Sequence, residues 1–205
     1  MPPDDIRDLG ALRAHIGEPA DLVRQKKIER LDKHCRHFIA TSPFMVLATS
    51  DRDGNCDASP RGDAPGFVAV LEDGRLLIPD RRGNKLADSM LNILENPRVG
   101  LLFFIPGVTE SLRVNGKAYL TRDRALLEPL AAQGKVPDTG ILVEVEEAFL
   151  HCGKALIRSR LWDPESRIDR KSFPTLGRMI ADQVEGLDAE ETEDYVQESY
   201  RERLY

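Results

Sequence analysis

Three short segments carry more charge and more backbone punctuation than packing requires. In Ser59-Pro60-Arg61-Gly62-Asp63-Ala64-Pro65-Gly66-Phe67, two prolines and two glycines argue against regular structure, yet an arginine and an aspartate sit among them. Such a stretch is either a rigid surface loop or a loop shaped to lay backbone amides and Arg61 against a ligand. In Ile78-Pro79-Asp80-Arg81-Arg82-Gly83-Asn84-Lys85-Leu86, three cations stand between an expected strand and an expected helix. A helix start offers unpaired N–H groups and positive potential, and both favour an anion. A charge-assisted hydrogen bond contributes roughly 1.5–3 kcal/mol, so two such bonds can anchor a phosphate. A solvated turn is the other reading of the same residues. The third segment runs from His151-Cys152-Gly153-Lys154 to Arg158-Ser159-Arg160-Leu161-Trp162. Adjacent residues on a strand point to opposite faces, so His151 is not placed to act as base for Cys152. Trp162 either stacks on a flat ligand or caps the core.

The rest of the sequence narrows the chemistry. It has no G-x-S-x-G, P-loop or G-x-G-x-x-G motif and no zinc-ligand spacing, so hydrolase and kinase readings have no footing. The chain has 205 residues, 41% hydrophobic and 31% charged, with a net charge of -6. An acidic balance argues against a nucleic-acid binder or an anionic membrane surface, although a local basic cluster can still hold one small anion. Cys35, Cys56 and Cys152 are odd in number and widely spaced, which suits a reducing cytoplasm rather than a disulfide framework. The N-terminus MPPDDIRDLG is charged and has no apolar h-region, and no apolar run approaches membrane length.

These segments must be positioned by the elements around them. Apolar residues from Leu22 to Ile39 recur at three- and four-residue spacing, which predicts a helix ended by Ser42-Pro43. Strands are expected at Phe44–Ser50, Phe67–Leu71 and Arg75–Ile78, with turns at Asp51–Gly54 and Glu72–Gly74. Asn84–Glu95 reads as a helix stopped by Asn96-Pro97. Val99–Ile105 is apolar on both alternations and should be a strand buried on both faces. Ser111–Thr121 alternates as a half-buried strand, Arg122–Ala132 looks helical, and Gly140–Leu150 is a further strand. Asp188–Glu202 is an acidic helix with Tyr195, Val196 and Tyr200 as a stripe, fit for the surface or for capping a dimer. Six or so short strands with one helix between the fourth and fifth predict a mainly β, α+β chain built on a closed antiparallel barrel. A single domain over 1–205 is expected, with an N-terminal helical segment 1–42 and a helical tail 163–205.

The strings SPRGDAPGFV, LLIPDRRGNKLADSMLNILENPRVGLLFFIPG and HCGKALIRSRLWDPE stand in order here. Through them the sequence resembles the pyridoxamine 5′-phosphate oxidase-like family of FMN-binding split barrels, and in particular a bacterial subfamily. The resemblance implies a homodimer with FMN in a groove at the subunit interface. Carried over by position, it implies that Ser59, Pro60 and Arg61 lie on a strand beside the ring and ribityl chain. Ile78, Pro79 and Asp80 follow on a neighbouring strand. Arg82, Asn84 and Lys85 match the turn that grips the phosphate, Arg81 adds charge beside them, and Arg113 reaches the pocket from the partner subunit. The end, Tyr200-Arg-Glu-Arg-Leu-Tyr205, departs from the basic substrate motif of the classical oxidases. The implied activity is therefore an FMN-dependent oxidoreductase with a different substrate. The other readings are a flavin store or sensor without turnover, and a groove that holds F420 or haem instead.

Overall fold

The first described helices are short, and two of them are started by an aspartate cap, Asp8 and Asp32. The computed structural model describes residues 5–205. Residues 1–4, which belong to the charged N-terminus and to the expected segment 1–42, lie outside the described residues. Helix α1 spans Leu9–Ile16, and the Asp8 carboxylate accepts from the Ala11 N–H at 2.8 Å.

The helix expected from Leu22 to Ile39 is two helices, α2 at Asp21–Gln25 and α3 at Lys33–Thr41. Between them Ile28 leaves helical geometry and pairs as a β-bridge with Ala148, N to O at 3.0 Å and O to N at 2.7 Å. A sheet edge, rather than a helix face, takes up this apolar residue. Asp32 then caps α3 by accepting from the Cys35 N–H at 2.8 Å. Cys35, Phe38 and Ile39 form its buried stripe.

Seven strands follow: β1 Phe44–Ser50, β2 Cys56–Gly62, β3 Ala69–Val70, β4 Leu76–Pro79, β5 Arg98–Phe104, β6 Ser111–Thr121 and β7 Gly140–His151. They form one sheet in the order β2-β1-β5-β6-β7-β4-β3. Every ladder is antiparallel. The sheet curls into a half-barrel, in keeping with the split-barrel expectation. Full closure by hydrogen bonding is not found, because the edge strands β2 and β3 do not pair among the described residues. The main core fills the curl, with Met45, Leu47, Ile78, Leu101, Phe103, Leu112, Val114 and Ile141 packed under Ile39 of α3.

Two strand expectations are corrected. Residues Cys56–Gly62 are regular strand despite Pro60, which is tolerated because β2 is an edge. β5 is buried on one face only: Val99, Leu101 and Phe103 are buried, while Gly100, Leu102 and Phe104 are half-exposed. No element of the described chain covers that outer side. β4 is the strand buried on both faces, since Leu76 and Ile78 enter the main core while Leu77 packs with Leu127 and Leu142 in a second cluster.

Helix α4 is Asp88–Glu95, four residues shorter at its start than the expected helix from Asn84. Lys85 and Ala87 adopt left-handed backbone angles, φ 65° and 61°, which break helical geometry before Asp88. Residues expected to be helical over Arg122–Ala132 form α5 at Arg124–Leu127 and a single 3-10 turn at Glu128–Leu130. Pro129, one residue into that turn, cannot continue the backbone ladder. Helix α6 is Lys154–Ser159, α7 is Leu176–Gln183 and α8 is Ala189–Glu202, the acidic helix expected over Asp188–Glu202, with Asp188 as its N-cap. Val196 of the predicted stripe is buried, whereas Tyr195 and Tyr200 are exposed. Among the described residues no helix is long and apolar enough to cross a membrane.

Candidate functional site

β2 and β4 are far apart in the ladder, separated by β1, β5, β6 and β7. The curl nevertheless brings their ends together. Arg61 Nη1 at the end of β2 lies 3.5 Å from Asp80 Oδ1 just past β4. Two residues further along the first segment and one along the second, Asp63 Oδ2 accepts from Arg81 Nε at 2.6 Å. Two crossed ion pairs thus join the ends of the sheet where backbone pairing does not. The strand expected to neighbour β2 is its neighbour through side chains, not through the ladder.

Arg81 is held at two points, by Asp63 and by a 2.9 Å bond from Nη1 to the Leu130 carbonyl. Its Nη2 has no hydrogen-bond partner among the described residues, so a fixed guanidinium presents free donors. Asp63 is saturated: Oδ1 accepts from the Ala64 N–H and from the Tyr205 hydroxyl, each at 2.7 Å. Burial alone would raise its carboxyl, but the bonds from Tyr205, Ala64 and Arg81 hold it below its ordinary value of 3.8. Asp80 moves the other way. Burial raises it, and neither Arg61 nor the Thr139 hydroxyl fully offsets that. Arg61 Nε is buried with no partner, which is an expensive state for a charged donor.

Beside these pairs lies a recess of about 340 Å³ lined by Asp80, Arg81, Arg82, Lys135, Val136, Pro137, Asp138 and Tyr205. Arg82 is exposed and makes no ion pair among the described residues, and the same holds for Lys85 on the adjoining turn. Asn84 is committed locally, its Oδ1 accepting from the Leu86 N–H at 3.0 Å.

The remaining expected residues divide. Ser59 is half-buried on the same face of β2 as Arg61, and Pro60 points to the exposed side. The Ile78 side chain belongs to the main core, and Pro79 is buried too, so these two shape the strand that delivers Asp80. Arg113 stands apart from the recess, its guanidinium 5.2 Å from the Phe149 ring on the outer side of β6 and β7. The helix-start reading of the basic turn is not supported, since α4 begins three residues after Lys85.

Sequence reasoning missed Lys135 and Tyr205. Gln133-Gly134, both at positive φ, make a tight turn closed by Ala132–Lys135 backbone bonds, and this aims Lys135 back toward the site. That turn was readable as Gln-Gly before a lysine. Tyr205 carried no comparable signal.

The family model described as pyridoxamine 5′-phosphate oxidase matches residues 31–152, more than half of the sequence. The chain belongs to the pyridoxamine 5′-phosphate oxidase family. The matched span includes Arg61, Asp63, Asp80, Arg81, Arg82 and Lys135, and it leaves Tyr205 outside. Similar solved structures include HupZ of Group A Streptococcus, at 16% identity and TM-score 0.48, covering 58% of this chain and 92% of that one. General Stress Protein 26 from Bacillus anthracis is 18% identical over 57% of this chain and 93% of its own, with a TM-score of 0.42. HutZ, the haem storage protein from Vibrio cholerae, is 19% identical over 60% of this chain and 94% of its own, at 0.41. No curated protein sequence matches the chain.

The other chemical candidates of the sequence are structural. Trp162 Nε1 donates to the Val108 carbonyl at 2.8 Å, pinning the segment after α6 to the turn that follows β5. Cys35 is buried, and burial and the nearby Asp32 push its thiol up to about 11, which disfavours the thiolate.

Proposed function

We propose that this family member is an FMN-binding flavoprotein of the cytoplasm, dimeric, and an oxidoreductase whose substrate is not pyridoxamine phosphate. The observation that carries the reading is the pre-ordered Arg81, fixed at Nε and Nη1 with Nη2 unused, at the mouth of a recess shared with Arg82 and Lys135. A phosphate there meets donors that are already in place, and pre-ordering reduces the entropy lost on binding.

The residues fit a phosphorylated planar cofactor in a second respect. Arg61 Nε is buried and unpartnered on the strand that would run beside the ring, and an acceptor edge would satisfy it. Ser59 and Pro60 would lie along the ribityl chain, with Asp80 balancing Arg61. Arg82, Asn84 and Lys85 would close on the phosphate with Arg81. FMN, when bound, supplies the two-electron redox chemistry. The chain's own part is to fix the phosphate, place positive charge from Arg61 near the ring, and exclude water from the groove.

The half-exposed outer side of β1 and β5 favours the dimer. Phe44 and Phe104 face outward there with ring centroids 6.4 Å apart, and Phe44 is 40% exposed. The family resemblance, rather than any contact within the chain, is what assigns Arg113 to the pocket of a partner subunit.

The test is spectroscopy and mass spectrometry of the ligand released from purified protein. Flavin absorption near roughly 370 and 450 nm with FMN released is expected, and a Soret band or F420 would overturn the cofactor. Bleaching by NADH or NADPH with recovery in air separates an oxidoreductase from a flavin store. Combined replacement Arg81→Met and Arg82→Ala should strip FMN, and full occupancy in that variant would refute the phosphate site.

A further inference from the structure

Residues after α6 leave the barrel and form α7 and α8, which pack on each other so closely that Gly177 has no room for a Cβ against the Glu193 backbone. Glu193 also accepts from the Gly177 N–H at 2.8 Å. This pair of helices returns to the barrel at Tyr205. Its hydroxyl donates to Asp63 Oδ1 at 2.7 Å, and its backbone oxygen accepts from Lys135 Nζ at 2.8 Å. Both contacts fall on the basic recess: Asp63 orients Arg81, while Lys135 and Tyr205 themselves line the cavity.

We propose that Tyr205 and Lys135 complete the phosphate site, with the tail docked as one wall of the recess so that phosphate occupancy and tail docking stabilise each other. The inference rests on the phosphate reading of the recess given above. Tyr205 acts here as a positioning residue. Its hydroxyl occupies the lone pairs of Asp63 that would otherwise face the incoming anion, and it keeps Asp63 bound to Arg81 Nε with Nη2 free. Lys135 has three ammonium protons and spends one on the Tyr205 backbone oxygen, which holds it at the rim with donors to spare. A phosphomonoester dianion suits this set, because Arg81, Arg82 and Lys135 line the cavity together with N–H donors that their own hydrogen bonds do not use. Whatever free energy couples the two events acts equally in both directions.

The experiment measures amide hydrogen exchange over residues 185–205 of the full chain, alone and with FMN, riboflavin or inorganic phosphate, beside titrations of each ligand. Flavin-free protein is used throughout. FMN and inorganic phosphate are expected to slow exchange in the tail, and riboflavin, which lacks the phosphate, is expected not to. Tyr205→Phe should weaken FMN and phosphate by about threefold to tenfold, the scale of one hydrogen bond, and leave riboflavin affinity unchanged. Lys135→Met should act in the same direction, so the result does not depend on one variant folding well. FMN or phosphate binding with unaltered tail exchange overturns the proposal, as does equal weakening of riboflavin by Tyr205→Phe. If phosphate slows tail exchange but no flavin binds, the FMN reading fails and the wall stands. If neither ligand binds, both fall.

Discussion

Replacing Asp63 by asparagine keeps the shape of the side chain and removes its charge, and the surroundings make that change costly. The Asp63 side chain is 4% exposed and that of Arg81 20%. All three hydrogen bonds to the carboxylate come from donors: Ala64 N–H, the Tyr205 hydroxyl and Arg81 Nε. Whichever way the amide turns, its NH₂ must face either Arg81 or the Ala64 N–H, so one donor is opposed by another. Losing a hydrogen bond to a charged group costs about 1.5–3 kcal/mol, and breaking a fully buried pair costs about 3–5. Arg81 keeps its bond to Leu130 and touches solvent, which places the loss near the lower range, about 2–3 kcal/mol at pH 7. For a chain of this size that lowers Tm by roughly 5–10 °C. The pH dependence has a definite sign. Asp63 titrates below 3.8 in the folded protein, so its contribution is full above that value and is lost as pH falls through the lower folded one. Urea titrations of both proteins, followed by circular dichroism between pH 7 and pH 3, should give a gap that is constant to about pH 5 and narrows below 3.8. A gap under about 0.5 kcal/mol at pH 7, or one that does not narrow in acid, would refute the assignment of Asp63 as the buried anion that orders Arg81.

Two further outcomes follow from the fold. Gly116 sits where the β6–β7 register shifts, and an added Cβ would lie 2.0 Å from the Glu144 carbonyl oxygen. Gly116→Ala should therefore cost about 2 kcal/mol or more in a denaturant titration, and a near-neutral result would mean that the strands separate there without strain. In native protein a thiol reagent should modify Cys56 and Cys152, which are exposed, and reach Cys35 only on unfolding; rapid native labelling of Cys35 would show that α3 opens.

What could be read in the sequence tracks the range of the interaction that decides each feature. Turns with local chemistry were legible: Asp51 Oδ1 accepts from the N–H groups of Asp53 and Asn55, both within four residues. The strands β6 and β7 were legible because alternation is a local signal. The helix from Leu22 was misread because Ile28 finds its partner at Ala148, 120 positions away. An apolar residue at helical spacing does not reveal whether a helix face or a sheet edge will bury it. β2 was misread from its composition, since proline bars a central strand but not an edge, and edge position is a property of the finished sheet. The basic turn was found and its helix start was misplaced, because the left-handed angles at Lys85 and Ala87 break a rule for non-glycine residues that sequence reading takes as its default.

That misplacement changes how the site works. With α4 starting at Asp88, no helix terminus orders the donors, and the ordering must come from elsewhere. It comes from the curl of the sheet. Bringing the end of β2 against the end of β4 sets Asp63 beside Arg81 and Arg61 beside Asp80, so the contacts that close the half-barrel also fix the groups facing the recess. The two pairs differ in what they leave over. The Arg81 pair is complete on its carboxylate side and open on its guanidinium side, as an anion site requires. In the Arg61 pair burial raises the Asp80 carboxyl, and Arg61 Nε remains buried without an acceptor. A buried charged donor left unmatched is destabilising unless something else supplies the acceptor. The polar imbalance of the site therefore lies at Arg61, on the strand that the resemblance sets beside the ring, while the order of the site lies at Arg81, next to the turn of Arg82, Asn84 and Lys85 that the resemblance matches to a phosphate grip.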